Sequence, residues 1–224
     1  MRIAAIVVRI LGVVAAIAAI AGQLAVSVAY WTRIEVRDLA TSLVNFFSYF
    51  TIQSNLLGAL ALGIGAVVLL HGRTPEPRGL TVLRACATSY LVTTGIVYNV
   101  LLRGIERPPD SWLPWSNEVL HLVMPMLVLL DWILAPGRNR LRWRVVGVIV
   151  AYPLVWTVST MVRGPFVFSD VSQSYGWYPY PFIDPANGGY GSVAVFVVVI
   201  AVVIAAVGAG VVALSRSRAR LREI

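Results

Sequence analysis

Six long apolar runs dominate this chain and restrict the folds open to it. They cover roughly residues 10–31, 46–70, 80–102, 118–135, 145–162 and 191–214. A helix of about 20 predominantly apolar residues is long enough to cross the hydrocarbon core of a bilayer. Charged residues make up only 12% of the chain, against about 25% in a typical soluble domain. The sequence therefore predicts an all-α integral membrane protein, a single domain of residues 1–224 built as a six-transmembrane-helix bundle.

The run at residues 10–31 also resembles the apolar core of a secretory signal peptide. It is about twice as long as such a core usually is, and no convincing small-x-small cleavage site follows it. We therefore expect this run to be retained as the first span.

The arginines predict how the spans are oriented. All 18 basic residues are arginine, and 13 of them flank the spans on one side of the membrane. The opposite side carries five arginines together with six acidic residues. Because cytoplasmic loops are enriched in basic residues, we predict that both termini are cytoplasmic. Attraction of these loops to anionic lipid explains the net charge of +8 without a nucleic-acid partner.

The composition also indicates where the protein resides and what it can bind. Arginine without lysine, in a chain rich in alanine and valine, is typical of a GC-rich bacterial genome. We therefore predict a multi-pass protein of the bacterial cytoplasmic membrane. Two well-separated histidines and a single cysteine, Cys86, are too few ligands for a buried metal site of the usual types, so no metal or cofactor is predicted.

The second run opens with an unexpectedly polar stretch, NFFSYFTIQSN, at residues 45–55. Polar side chains without partners cost free energy in hydrocarbon, so this stretch needs an explanation. Helical spacing predicts one polar stripe, consisting of Ser48, Thr51, Asn55 and Gly58. One explanation is purely structural: the Thr51 hydroxyl bonds to a carbonyl of its own helix or joins two helices, as threonine commonly does in membranes.

The fourth run carries a histidine at the depth of this stripe. Asn117, Glu118 and His121 share one helix face. Pro125 removes a hydrogen bond to the His121 carbonyl and is expected to loosen the helix beside the imidazole. Ionisable residues inside spans are rare, and a functional role is the default hypothesis for them.

Two further ionisable residues lie near the ends of spans. Asp131 approaches the predicted cytoplasmic end of the fourth span, close in sequence to Arg138 and Arg140. We expect it to form a structural ion pair with one of these arginines. Arg163 closes the fifth span on the predicted outer side, where a long loop begins.

Thr51 and His121 are predicted to lie at similar depth in the outer half of the membrane. A hydroxyl is a weak nucleophile until a neighbouring base takes its proton, and histidine suits that work. The two can meet if the second and fourth helices are neighbours. Candidates for orienting the imidazole are Asn117 and Glu118. Candidates for donating a hydrogen bond to an oxyanion are Asn55 and Asn99.

The outer connection at residues 164–190 carries seven aromatic residues between Phe166 and Phe182. A loop of this length is uncommon unless it is functional or disordered, and its aromatics argue against disorder. Amphipathic rings favour the membrane interface, so an interfacial belt is one interpretation. A lid over a cavity open to the outer leaflet is another, and the two are compatible. The candidate substrate-contacting residues are Ser48, Arg163, Trp177, Tyr178 and Tyr180.

Two other classes of function fit the same residues. In a small transporter or lipid-binding membrane protein, the polar stripe would line a substrate path and His121 would relay protons. In a structural subunit, the stripe would only hold helices together. Many transporters are built from duplicated halves, whereas the halves of this chain share no motif. Hydrolysis would require Thr51 Oγ1 and a His121 nitrogen within about 3–4 Å beside a closed cavity, and transport a continuous path.

Three motifs resemble a known family. NFFSYFTIQSN, the NEVLHLVMP of the fourth run and the WYPYPFIDP before the sixth together look like the androgen-induced and androgen-dependent transmembrane proteins, and most like their bacterial branch. The resemblance runs from about Arg9 to about Tyr190. The chain departs from the animal members in the polar Ile-Gln-Ser-Asn after Thr51 and in the tandem Tyr-Pro of residues 178–181.

The resemblance implies an intramembrane threonine hydrolase with six spans. It implies a lipid substrate, a fatty acid ester of a hydroxy fatty acid or a similar ester, that reaches the site laterally from the bilayer. Thr51 corresponds to the nucleophilic threonine of the family and His121 to its catalytic histidine. The sequence gives no indication of the oligomeric state.

Overall fold

The fold is described by a computed structural model that covers residues 2–220. Met1 and residues 221–224, at the ends of the predicted domain 1–224, lie outside the described residues. The α-helices are α1 Arg2–Arg33, α2 Leu39–Ser48, α3 Phe50–Leu70, α4 Arg78–Val97, α5 Pro114–Glu118, α6 Met124–Leu134, α7 Val145–Arg163 and α8 Gly189–Arg220. A π-helical turn, Tyr98–Leu102, continues α4, and a second one, Val119–Val123, joins α5 to α6. Two short antiparallel strands, β1 Phe168–Ser169 and β2 Ser174–Tyr175, lie in the loop before α8.

Within the described residues, six helical segments are long and apolar enough to cross a membrane. They are Arg2–Arg33, Phe50–Leu70, Arg78–Leu102, Pro114–Leu134, Val145–Phe166 and Gly189–Ser217. This confirms the predicted all-α architecture with six helices of membrane-spanning length. We refer to them as the first to the sixth span.

The second span begins later than predicted, because the chain breaks at Tyr49. Residues 39–48 form the separate helix α2, whose first N–H groups are capped by the Asp38 carboxylate. At the break, the Phe47 carbonyl accepts a hydrogen bond from Gln53 Nε2 and the Ser48 carbonyl accepts one from Trp156 Nε1, both at 2.9 Å. Since these side chains satisfy the carbonyls, the helix can end here without orphaned acceptors.

The helices pack around α4, which contacts α3, α6, α7 and α8 along its length. One apolar core joins the first four spans and includes Leu62, Leu91, Met124 and Val128. A second core joins α4 and α6 to the last two spans around the fully buried Trp132. Arg2 donates to the Leu69 carbonyl, so α1 begins beside the end of α3. We call this end of the bundle the terminal end, and the end that carries residues 164–188 the loop end.

A buried ionic cluster ties four helices together towards the terminal end. Arg9 of α1 donates to Asp131 of α6 at 2.8 Å, and Arg84 of α4 donates to the same carboxylate at 2.6 Å. Arg84 also pairs with Glu76 at 2.6 Å, and Arg9 donates to the Gly65 carbonyl of α3 at 2.7 Å. All four ionised side chains are almost fully buried, and their two positive and two negative charges balance.

This cluster corrects the predicted partner of Asp131. The expectation of an ion pair with Arg138 or Arg140 was wrong, because the partners come from two other helices. Arg138 instead donates to backbone carbonyls of α6 and α8, including that of Leu214. Sequence proximity suggested the local arginines, whereas the fold brings Arg9 and Arg84 to the carboxylate.

Replacing Asp131 with asparagine is expected to destabilise the fold by about 3–5 kcal/mol, since it leaves an uncompensated positive charge in the buried cluster. Asp110→Asn is the matched control, because its pair with Arg33 is largely exposed and is expected to contribute less than about 1 kcal/mol. Unfolding in detergent, followed by circular dichroism, measures both variants. Equal effects of the two substitutions would contradict a structural role for the buried cluster.

Candidate active site

Thr51 and His121 meet inside the bundle, near the loop end. Thr51 lies in the first turn of α3 and is only 6% exposed. Its Oγ1 is 3.2 Å from Nε2 of His121, which lies in the π-helical turn of the fourth span. The second and fourth spans are therefore neighbours, and the distance lies within the range expected for a nucleophile and its base.

The local backbone of the fourth span sets the position of His121. Pro125 has no N–H to offer the His121 carbonyl, and the Met124 N–H bonds instead to the Val119 carbonyl, five residues back. The helix is loosened beside the imidazole, as Pro125 predicts. Gly95 of α4 packs against this turn so closely that a Cβ there would lie 3.2 Å from the His121 carbonyl oxygen. Such π-helical turns often occur at functional sites.

Two contacts fix the orientation and the tautomer of the imidazole. His121 Nδ1 is 2.9 Å from the main-chain carbonyl of Asn117, and the Tyr98 ring stacks on the imidazole with centroids 4.0 Å apart. A carbonyl only accepts hydrogen bonds, so the ring proton lies on Nδ1. Nε2 is then free to accept the proton of the Thr51 hydroxyl.

The loop before α8 places a third hydroxyl against Thr51. The Tyr180 oxygen accepts a hydrogen bond from the Thr51 N–H at 3.1 Å and lies 3.2 Å from Thr51 Oγ1. The Phe182 ring stacks on the Tyr180 ring at 5.2 Å, and the Tyr49 ring meets it edge-on. Burial raises the pKa of Tyr180 to about 12, and hydrogen bonds from Thr51 offset this only in part. The hydroxyl is therefore a neutral donor at physiological pH.

The predicted orienting residues act differently from the expectation. The main chain of Asn117, rather than its side chain, holds His121. The Asn117 side chain donates to the Tyr98 hydroxyl at 2.6 Å and so supports the ring that stacks on the imidazole. Glu118 was the wrong candidate, because its carboxylate pairs with Arg103 at the surface, 3.0 Å away. Tyr98 itself was missed, since nothing in the sequence of the third span distinguishes it.

The predicted oxyanion donors are also wrong. Asn55 Nδ2 donates to the Thr51 carbonyl at 2.9 Å and to the Leu120 carbonyl at 3.2 Å, which joins α3 to the fourth span. Asn99 Nδ2 donates to the Gly95 carbonyl at 2.8 Å, within its own helix. The potential donor beside Thr51 Oγ1 is instead the Tyr180 hydroxyl, at 3.2 Å.

The remaining predicted residues fall into two groups. Ser48 lies on α2, is half-buried and donates to the Val44 carbonyl, so the polar stripe begins at Thr51 instead. Arg163 donates to Asn45 at 2.6 Å, and its guanidinium lies over the Trp177 ring.

Trp177 and Tyr178 hold the loop in place. Trp177 lines the cavity beside Thr51 and packs edge-on against Tyr49. Tyr178 packs against Gly164, where a Cβ would lie 2.3 Å from its ring. These contacts join the loop to Tyr49, which directly precedes α3, and to Gly164, which directly follows α7.

A cavity of about 400 Å³ opens beside the Thr51–His121 pair. Its walls come from the loop-end parts of α1, α2 and α5 and from the loop itself. The lining includes polar side chains, namely Gln23, Ser27, Ser42, Asn45, Ser116 and Asn117. The Arg107 guanidinium also lines the cavity and donates to the Asn117 side-chain oxygen at 3.1 Å. The site is thus a cavity among helices of membrane-spanning length, with a hydroxyl, a base and a neutral donor at its wall.

Comparisons with protein families, with curated proteins and with solved structures find no match to this chain. The family resemblance of the three motifs therefore stays a prediction. The site geometry and the membrane-length helices around it are the features that bear on function.

Proposed function

We propose that this protein is an intramembrane hydrolase of lipid carboxylic esters, with Thr51 as the nucleophile and His121 as the general base. The observation that carries the proposal is the 3.2 Å contact between Thr51 Oγ1 and His121 Nε2, at the wall of a cavity. Nucleophile and base within hydrogen-bond reach, with the base oriented by a third group, is the arrangement that activates a hydroxyl.

The first step forms an acyl-enzyme. His121 Nε2 takes the Thr51 proton as Oγ1 attacks the ester carbonyl carbon, which gives a tetrahedral oxyanion. Tyr180 supports this step, because its oxygen accepts the Thr51 N–H and its hydroxyl, 3.2 Å from Thr51 Oγ1, is placed to donate its proton to the oxyanion. The positive N-terminal end of α3 adds favourable charge at the same place.

The second step releases the products. The His121 imidazolium gives its proton to the departing alcohol oxygen, and the carbon–oxygen bond of the ester breaks. A water molecule then loses a proton to His121 and attacks the acyl-enzyme. The fatty acid leaves as Thr51 recovers its proton, so both partners return to their starting states.

The interior of the bundle favours hydrolysis over transport. Between the site and the buried charges, Leu91 of α4 and Met124 of α6 are fully buried in one apolar core. Gly58 lets α4 approach so closely that a Cβ there would lie 2.5 Å from Leu91 Cδ1. This apolar packing opposes a polar path towards the terminal end and so supports hydrolysis over transport.

Lipid esters are the substrate class that the surroundings fit best. The site lies inside a bundle of membrane-length apolar helices, and the resemblance suggests fatty acid esters of hydroxy fatty acids or similar lipids. With cytoplasmic termini, the loop end faces the outer leaflet, and residues 164–188 act as the lid. The protein then works in the bacterial cytoplasmic membrane on a lipid that enters from the bilayer.

Labelling of the purified wild-type protein in detergent by a lipophilic fluorophosphonate tests the proposal. We expect a covalent adduct whose formation slows when a long-chain ester competes for the site. A folded wild-type protein that neither reacts with the probe nor hydrolyses a long-chain ester would contradict the proposal and favour the transporter alternative.

Replacing Tyr180 with phenylalanine is expected to lower the labelling rate about 10²-fold, the usual effect of removing one oxyanion donor. The ring contacts with Tyr49 and Phe182 are kept, so the loop should stay in place. Tyr178→Phe in the same loop is the matched control, because Tyr178 contacts Gly164 rather than Thr51, and it should react at the wild-type rate. Equal labelling rates in Tyr180→Phe and Tyr178→Phe would show that the Tyr180 hydroxyl takes no part in the reaction.

A further inference from the structure

A second and narrower cleft reaches Thr51 from the opposite side. Its volume is about 70 Å³, and it lies between α4, α7, α8 and the end of the loop. Four residues line both this cleft and the large cavity, namely Thr51, Tyr98, Leu102 and Tyr180. The nucleophile therefore lies in the wall that separates two compartments.

The narrow cleft is more strongly apolar than the large cavity, whose lining mixes apolar and polar side chains. The parts of α7 and α8 that line it contribute mainly aliphatic side chains, namely Val150, Leu154, Val197, Ile200, Ala201 and Ile204. Thr157, which also lines it, bonds back to the Pro153 carbonyl at 2.8 Å. Thr94 bonds across to Ser54 at 3.3 Å. These two hydroxyls are thereby engaged with the protein. Thr93 also lines the cleft, and its hydroxyl is buried without a hydrogen-bond partner among the described residues. The remaining lining is mainly apolar and suits hydrocarbon.

The outer end of the cleft lies at the lipid-facing surface of the bundle. Leu154 at its rim is 44% exposed, on a helix of membrane-spanning length. A volume of 70 Å³ corresponds to only about two water molecules of liquid, so the cleft holds the first few methylenes of a chain and no bulky group. The rest of a long chain would continue into the bilayer.

We propose that this cleft binds the acyl chain of the substrate, while the large cavity receives the alcohol part. This assignment rests on the proposed hydrolase function and narrows its substrate class. The substrates are esters of straight acyl chains, unbranched beside the carbonyl, with a larger and more polar alcohol. Acyl chains that extend beyond the cleft are accepted with little dependence on their length, because their remote methylenes stay in lipid.

Filling the cleft tests the assignment. Ala201→Phe is expected to lower kcat/KM for p-nitrophenyl octanoate about tenfold relative to p-nitrophenyl acetate, the effect of displacing about two buried methylenes. Val202→Phe is the matched control, because Val202 is 63% exposed on the same helix. Its ratio of kcat/KM for octanoate to kcat/KM for acetate should equal that of wild type. Leu154→Trp at the rim should reproduce the selective loss if Ala201→Phe does not fold.

The possible outcomes separate this inference from the proposed function. A selective loss for octanoate in the cleft variants, with acetate hydrolysis retained, supports the acyl-chain assignment. Unchanged octanoate-to-acetate ratios in active cleft variants overturn the assignment and leave the hydrolase standing. A wild-type protein without activity towards either ester, and without fluorophosphonate labelling, overturns both.

Discussion

Replacing Thr51 with alanine is expected to abolish fluorophosphonate labelling and to reduce ester hydrolysis roughly 10⁴-fold or more, to the background rate. The substitution removes the only hydroxyl that lies 3.2 Å from His121 Nε2 among the described residues. It leaves α3 intact, because alanine is the best helix former. Gel fluorescence of the labelled protein and release of fatty acid from a long-chain ester measure the two effects.

Two variants separate chemistry from structural damage at Thr51. Thr51→Ser keeps a hydroxyl at the same place and should retain measurable labelling. Thr32→Ala removes an exposed threonine that lies outside both the cavity and the cleft and bonds only to its own helix, and it should react like wild type. Labelling that survives Thr51→Ala in a folded protein would exclude Thr51 as the nucleophile.

Replacing His121 with glutamine is expected to lower the rates of fluorophosphonate labelling and of ester hydrolysis about 10²–10⁴-fold, the typical contribution of a general base. Glutamine can still donate to the Asn117 carbonyl, but it cannot take the Thr51 proton. His71→Gln is the matched control, because it changes the other histidine of the chain. His71 lies at the terminal end of α3 and contacts the Val67 carbonyl at 2.9 Å.

The comparison of the two histidine variants is decisive for the role of His121. We expect normal rates in His71→Gln and strongly reduced rates in His121→Gln, with both proteins equally stable in detergent. Equal rates in the two variants would show that His121 does not act as the base. A loss in His121→Gln that accompanies unfolding calls for a repeat at lower temperature, where a folded protein without activity meets the prediction.

The sequence predicted those features of the fold that depend on local pattern. A run of apolar residues makes a helix of membrane length wherever it occurs, so the six spans follow from composition and length alone. The break at Tyr49 is different, because it depends on Trp156 from a distant helix. The Asp131 pairing likewise depends on Arg9 and Arg84, which reach the carboxylate only in the folded bundle.

The candidate site was predictable in its chemistry and less so in its supporting contacts. Thr51 and His121 are the kinds of residue that activate each other, and their predicted depths matched, but their meeting also required the second and fourth helices to be neighbours, which the sequence did not determine. Asn55 and Asn99 were chosen as oxyanion donors for their amide groups alone. Their amides instead satisfy backbone carbonyls, since a buried donor in an apolar bundle takes the nearest acceptor. Tyr180 occupies the donor position through the folding of the loop.

Mass-spectrometric location of the fluorophosphonate adduct on the wild-type protein tests the central claim most directly. Reaction forms a bond between Thr51 Oγ1 and phosphorus as fluoride leaves, so the mass increase must lie within the peptide between Arg37 and Arg73. Fragment ions should place it on Thr51 rather than on Ser48 or Ser54. An adduct on any other residue, or none on a folded protein, would contradict a threonine nucleophile at this site.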